Sequence, residues 1–404
     1  MLSQGPDESD AASGAIQNIY LTKSKNLMPK KLILHIGGHK TGSTSIQTYL
    51  AENELHLNKH GYKFVYLDNQ INLSSCIGWG QKDGAPFFYI ADKQYIKLLD
   101  MLRGQPGNVI LSCEDLFFLT QSIEIEKFVD GVSAFFDEIS VIVYLRRQDS
   151  MAISNKAQGA KSGQSGIVFG HSNHPLPELS SAVLDYLDYL PKLDLWSSHP
   201  RINNFVVRIY DRATLVRGDV VADFLSQVGL PLNSHKVLAN KSLSVAQTLF
   251  FHHLWRLGLP GDVIWQLVLA GIIPDGQKCI NKPSRGGGLR FYNQFTHNNK
   301  LLLMKYGEGQ QFSEDFSMYP EHEVLGQLSE EYIDACYKQI ILFSMRGAAS
   351  RGPSVELLRD SALLWEKNQN LANARELMEL AAVRRPEGPI IKNKLKEYRK
   401  TLSE

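Results

Sequence analysis

Cysteine is scarce in this chain of 404 residues: Cys76, Cys113, Cys279 and Cys336 are widely separated and form no C-x-x-C pair. That spacing excludes a disulfide framework and a cysteine zinc site, and the four read as reduced, buried thiols of a cytoplasmic protein. Long apolar runs are also missing. The longest, Val263–Ile273, is interrupted by Gln266 and is too short to cross a bilayer. Residues 1–30 hold no apolar stretch of signal-peptide or anchor length and read as a mobile tail. Neither sign of charge is in excess, with 43 basic residues against 42 acidic and a net charge of +1, which argues against nucleic acid as an obligate partner. No His/Asp/Glu cluster has metal-ligand spacing, so no metal is expected.

What is present is organised. The chain is longer than one core usually supports, so a main domain with an appendage is expected: a tail over 1–30, an α/β domain over 31–350 and a helical unit over 351–404. Short apolar runs alternate with helical patterns. Strands are expected at Leu32–Ile36, Lys63–Leu67, Asn108–Cys113, Ile139–Tyr144 and Phe205–Ile209. Helices are expected at Ser45–His60, Lys93–Leu102, Glu124–Phe136, Met151–Ala160, Ser180–Leu190 and Asp219–Val228, the last capped by Asp219. This order implies a doubly wound, mostly parallel sheet flanked by helices, with ligands collected at the carboxyl ends of its strands.

The densest chemistry lies in KLILHIGGHKTGSTSIQTYL, Lys31–Leu50, a strand running through a Gly-rich turn into a helix. Backbone N–H groups of Gly37–Thr44 and the helix start would face an anion, a phosphate or sulfate. A nucleotide-kinase loop has its lysine directly after the last glycine. Here Ser43 holds that place and Lys40 precedes Gly42 by two residues, which puts the ammonium at the mouth of the loop.

The K-T-G-S-T run after a strand resembles the 5′-phosphosulfate loop of the sulfotransferases that use 3′-phosphoadenylyl sulfate (PAPS) as donor. The resemblance implies that Gly38, Lys40, Thr41, Gly42, Ser43 and Thr44 hold the 5′-phosphate, with Lys40 also at the departing bridging oxygen. In that family the 3′-phosphate is gripped by an arginine after a strand and a serine eight residues later. Arg146 and Ser154, in ISVIVYLRRQDSMAISNKAQ, match those positions, with Arg147 the competitor. SRGGGLRFYNQFT, Ser284–Thr296, is similar to the loop by which cytosolic members close over that phosphate, which implies Arg285 and Gly286 as further donors.

The attacking hydroxyl needs a base. Glu114, closing VILSCEDL, matches the glutamate of members acting on heparan-type sugars, with Asp115 the rival carboxylate; both equally suit capping a helix at Leu116. His39, inside the loop, is the alternative, whereas His35 alternates into the sheet and reads as a core histidine.

Lys161–Glu178, punctuated by Gly, Ser and Pro, reads as a long loop forming a lid or acceptor wall. NKSLS, Asn240–Ser244, starts a helix capped by Ser242 or Ser244. Beyond Gly352, the spacing of Ala362, Trp365, Ala374, Met378, Ala381 and Pro386 matches a single tetratricopeptide-like helical hairpin. One such hairpin cannot bury its own apolar face, so it packs in cis or holds a protein partner or a second copy.

Together these imply a PAPS-dependent sulfotransferase that places a sulfuryl group on a hydroxyl of a saccharide, lipid-linked sugar or related metabolite, with no metal, nucleic acid or transmembrane segment. The alternatives are a non-catalytic nucleotide-binding scaffold and an ATP-dependent small-molecule kinase.

Overall fold

The computed structural model describes residues 29–67, 71–82, 85–233, 242–346, 355–367 and 370–402. The expected tail up to residue 28, and Asn240 and Lys241 of the expected helix start, lie outside these ranges.

The chain enters through β1 (Lys31–Gly37), α1 (Ser43–Glu52), α2 (Glu54–Lys59) and β2 (Tyr62–Phe64). An antiparallel pair, β3 (Ile77–Lys82) and β4 (Ala85–Ile90), leads to α3 (Asp92–Arg103), β5 (Asn108–Ser112), α4 (Ser122–Ser133) and β6 (Glu138–Leu145). Next come α5 (Gln148–Gly159), α6 (Gly163–Phe169), α7 (Ser181–Leu187), α8 (Leu190–Ser197), β7 (Asn204–Ile209) and α9 (Val220–Val228). The remainder is helical: α10 (Val245–Arg256), α11 (Gly261–Ala270), α12 (Arg285–Asn293), α13 (Thr296–Tyr306), α14 (Glu330–Arg346), α15 (Val355–Lys367), α16 (Leu371–Arg384) and α17 (Pro389–Leu402).

Five strands form one parallel sheet in the order β2-β5-β1-β6-β7, with β1 at its centre. Side chains alternate across a strand, so a sheet covered on both sides needs apolar residues at odd and even positions alike. That is what β1 supplies. Leu32, Leu34 and Ile36 enter one core with Leu111, Val141 and Val143. Ile33 enters the other with Ile110, Ile142 and Tyr144, beneath Ile46, Tyr49 and Leu50 of α1 and Val221, Phe224 and Leu225 of α9. β1 and the carboxyl end of β6 meet at a register shift between His35 and Gly37, where the chain leaves the sheet.

Several segments differ from expectation for local reasons. The helix expected over Ser45–His60 divides at Asn53, whose side-chain Nδ2 donates to the Tyr49 carbonyl at 2.9 Å and competes with the helical ladder. The long loop after Lys161 contains α6. The β3–β4 hairpin occupies a stretch in which no strand was expected. Ser284–Thr296 is no closing loop: Ser284 Oγ accepts from Gly287 N at 3.0 Å and starts α12. Gly288 lies within that helix, and its lack of a side chain is required because a Cβ there would fall 2.7 Å from the Tyr319 ring. Ser244 caps α10 in a reciprocal pair with Gln247.

A second core joins the C-terminal helices to the preceding ones. Ala362, Trp365, Ala374, Met378 and Ala381 are buried there with Phe250, Leu254, Ile264 and Tyr337, so α15 and α16 pack in cis on α10, α11 and α14. Among the described residues no helix is long and apolar enough to cross a membrane.

Burial without compensating charge holds three histidines neutral. His35 and His252 are pushed down to about 3 and His171 to about 4, with the cations Lys156 and Arg256 adding to the effect at the last two. The unfolded chain takes up these protons near pH 6.5. Their contribution to stability is therefore complete above about pH 6.5 and is lost as pH falls towards about 3. Urea denaturation between pH 7.5 and 4.5 should show a steady decline, shallower in His35→Leu; an equal slope in the variant contradicts the assignment.

Candidate functional site

At the carboxyl end of β1 the backbone makes a turn that only particular residues permit. Gly37 adopts φ 80°, and a Cβ there would fall 2.5 Å from Glu114 Cβ and 2.6 Å from its Cα. The missing side chain lets the loop lie directly against the start of the segment after β5. The Gly38 N–H donates to the Tyr144 carbonyl at 3.1 Å, and Thr41 Oγ1 donates back to the Gly38 carbonyl at 2.6 Å. Lys40 itself has φ 60°, a left-handed conformation uncommon for a residue with a side chain and a form of strain found at functional turns. Gly42, at φ 82°, precedes α1 and offers no side-chain cap to its first N–H groups.

Positive charge converges on this turn. Burial lowers the pKa of Lys40, the charges of Lys161 and Arg146 lower it further, and Glu114 opposes them. The Lys40 Nζ lies 3.5 Å from Gln158 Oε1, and Arg146 Nη1 donates to the Lys40 carbonyl at 3.2 Å. The Arg146 guanidinium lies 5.9 Å from the Tyr210 ring centre. The charges of two further cations thus act on Lys40, against that of Glu114.

The two neighbouring arginines divide their work. Arg147 is buried, pairs with Asp149 through Nε at 2.8 Å and Nη2 at 3.0 Å, and donates Nη1 to the carbonyls of Ser313 and Asp315. Its guanidinium covers the Phe316 ring at 4.0 Å. It fastens the Ser313–Met318 segment to the start of α5. Arg146, half-buried, is the arginine directed at the loop. Ser154 is half-buried on α5, sharing a face at helical spacing with Gln158, and Lys161 lies just beyond the helix end at Gly159.

Glu114 and Asp115 open a short 3-10 turn, Glu114–Phe118. Glu114 Oε2 accepts from Gln47 Nε2 at 2.8 Å, and Gln47 also donates to Ser112 Oγ at 3.1 Å. His39 is bracketed: Nε2 meets Asp115 Oδ1 at 2.9 Å, and Nδ1 meets the Tyr186 hydroxyl. The His39 ring stacks on Phe118 at 4.3 Å between centres. His35 is a core residue as expected, with Nδ1 2.8 Å from Ser112 Oγ and Nε2 without a partner among the described residues.

The structure thus gathers Gly38, His39, Lys40, Thr41, Gly42, Ser43, Glu114 and Arg146 around one turn, with Thr44, exposed, in the first turn of α1. Arg285 and Gly286 are held elsewhere. Arg285 pairs with Glu321 at 2.5 Å, its N–H donates to the Pro320 carbonyl, and both residues are part of α12. Thr41 is fully buried and its hydroxyl donates inside the loop. Sequence reading missed Gln47, Gln158, Lys161 and Tyr186. The i, i+4, i+7 spacing of Ser154, Gln158 and Lys161 is the one signal that would have found two of them. Among the described residues no group of three or more His, Cys, Asp or Glu side chains could hold a metal ion.

No protein-family model matches the chain. It is 28% identical over 218 residues to an uncharacterized protein of Archaeoglobus fulgidus, an alignment covering 51% of this chain and 58% of that protein, so the chain spans little more than half of that relative. A crystal structure of a sulfotransferase from Alicyclobacillus acidocaldarius is similar over 60% of this chain and 96% of that one, at 12% identity and a TM-score of 0.33. Likeness at that level carries no functional argument, so the site's own side chains must supply it.

Removing Asp149 leaves Arg147 buried without its carboxylate. Asp149→Ala should lower unfolding free energy by about 3–5 kcal/mol in chemical denaturation, whereas Arg146→Ala should change it little; equal losses would contradict the division between the two arginines.

Proposed function

We propose that the protein transfers a sulfuryl group from PAPS to a hydroxyl of a saccharide, lipid-linked sugar or related metabolite. The observation that carries this reading is the Gly-rich turn at an uncapped helix start, with Lys40 in it and the Arg146 guanidinium bonded to the Lys40 carbonyl at 3.2 Å, while the charge of Lys161 also acts on Lys40 and that of Glu114 opposes it. Such a turn favours a ligand with several negative charges. The donor carries a phosphosulfate at one end and a 3′-phosphate at the other.

On this reading the N–H groups of Gly42–Thr44 and the hydroxyls of Ser43 and Thr44 hold the 5′-phosphate. Arg146 and Ser154 hold the 3′-phosphate, where a guanidinium fork suits phosphate oxygens. The sulfuryl group passes in line from the bridging oxygen to the acceptor oxygen, and catalysis consists of alignment and neutralisation of the leaving charge. Lys40 meets the leaving oxygen. Its charge has to survive burial between two other cations, and Glu114 favours the protonated form. The base comes from the side of the turn where Glu114 and His39 lie.

The tests are direct. Lys40→Ala should lower turnover about 100-fold or more while adenosine 3′,5′-bisphosphate still binds; an unchanged rate refutes the leaving-group role. In calorimetric titration without magnesium, Arg146→Ala should weaken bisphosphate binding by about 1.5–3 kcal/mol. Unchanged affinity would remove the second anchor, and a requirement for ATP with magnesium would favour a kinase.

A further inference from the structure

A cavity of about 400 Å³, in the size range of small-molecule sites, is lined by Phe118 and Tyr186, the two residues that contact His39 of the turn. Phe88, Phe118 and Tyr186 form its aromatic wall, with Phe118 and Tyr186 stacked at 4.4 Å. Its charged lining is Asp185, Asp188 and Lys192. The Lys192 ammonium donates to the backbone carbonyls of Asp185 and Asp188, at 2.5 and 2.7 Å, and burial pushes its pKa down to about 8, so two carboxylates stand against one cation. The lining therefore leans negative. It suits a neutral ring-bearing alcohol, whose apolar face lies on the aromatic wall, and disfavours a carboxylated or already sulfated acceptor.

Two of these wall residues also touch His39. Phe118 stacks on its ring, and the Tyr186 hydroxyl meets its Nδ1. The tautomer follows from the other nitrogen: Asp115 Oδ1 is a carboxylate acceptor, so Nε2 carries the hydrogen and Nδ1 accepts from the Tyr186 hydroxyl. The arrangement has the order of a hydroxyl, a histidine and an orienting carboxylate. Burial first, then the charge of Asp115, raise the Tyr186 phenol well above its ordinary range, with the Asn155 amide opposing them, so Tyr186 stays neutral and can only relay a proton; the buried Asn155 Nδ2 has no hydrogen-bond partner among the described residues.

We infer that this cavity holds the acceptor alcohol and that Tyr186 is the catalytic residue receiving its proton, with His39 and Asp115 as positioning residues behind it. The inference rests on the sulfotransferase reading above. As the acceptor oxygen forms its bond to sulfur, its proton moves to the Tyr186 oxygen and the Tyr186 proton moves to His39 Nδ1. The sulfur–oxygen bond to the donor breaks, and its electron pair leaves with adenosine 3′,5′-bisphosphate. Asp115 balances the imidazolium. Glu114, tied to Gln47 and opposing the cations around Lys40, then serves the charge balance of the loop.

The experiment measures transfer of labelled sulfate from PAPS to a panel of neutral methyl glycosides and phenols and to the matching uronic acids, with bisphosphate affinity measured in parallel. The expected result is transfer to neutral members over acidic ones, a loss of about 100-fold or more in kcat for Tyr186→Phe with bisphosphate affinity unchanged, and rescue of His39→Ala by added imidazole. Asp115→Asn should alter the pH profile of kcat while donor affinity holds. A Tyr186→Phe enzyme with normal kcat overturns the relay, and transfer only to acidic members, or to none by a protein that binds bisphosphate, overturns the cavity assignment. Failure of the wild-type protein to bind bisphosphate at all instead removes the sulfotransferase reading beneath it.

Discussion

The excess of positive charge at the end of β1 is the constraint around which the site is built. Burial of Lys40 disfavours its charge most, the charges of Lys161 and Arg146 add to that, and Glu114 offsets only part of it. A fold keeps such an arrangement when a ligand supplies the missing negative charge, since binding then relieves repulsion present in the free protein. The left-handed backbone of Lys40 is a second unfavourable element at the same residue. Both belong to one residue, and the stability of the surrounding sheet holds them in place.

That support is visible in the layers beneath. β1 is central, hydrogen-bonded on both sides, and apolar on both faces, so its carboxyl end is a fixed point. Gly37 brings the Glu114 backbone against it, and Arg147, buried with Asp149, anchors the start of α5, the helix that carries Ser154 and Gln158. Three separate strand ends thereby deliver side chains to one turn, as expected of ligand sites in open parallel sheets.

The sheet was legible because its code is local: a short run of Ile, Leu and Val followed by a turn marks a buried parallel strand wherever it pairs. The loop was legible for the same reason, since Gly37–Thr44 is one continuous segment. Long-range partners were not. The contact of His39 with Tyr186 joins residues far apart in the chain, and the choice between Arg146 and Arg147 depends on Ser313 and Asp315, which no local pattern connects to either. The Gly286–Gly288 run misled in the opposite direction. Its composition suggests a flexible loop, but Ser284 caps a helix there, and packing against Tyr319 accounts for the glycine at 288. The C-terminal helices show the same limit: their apolar spacing was readable, whereas their cover, α10, α11 and α14, was not.

The most direct measurement is a crystal structure of the protein with adenosine 3′,5′-bisphosphate. The account predicts the 5′-phosphate against the N–H groups of Gly42–Thr44 within reach of Lys40, and the 3′-phosphate on Arg146 and Ser154. Phosphates bound away from both positions, or a nucleotide held with its 3′ end turned from Arg146, would contradict it.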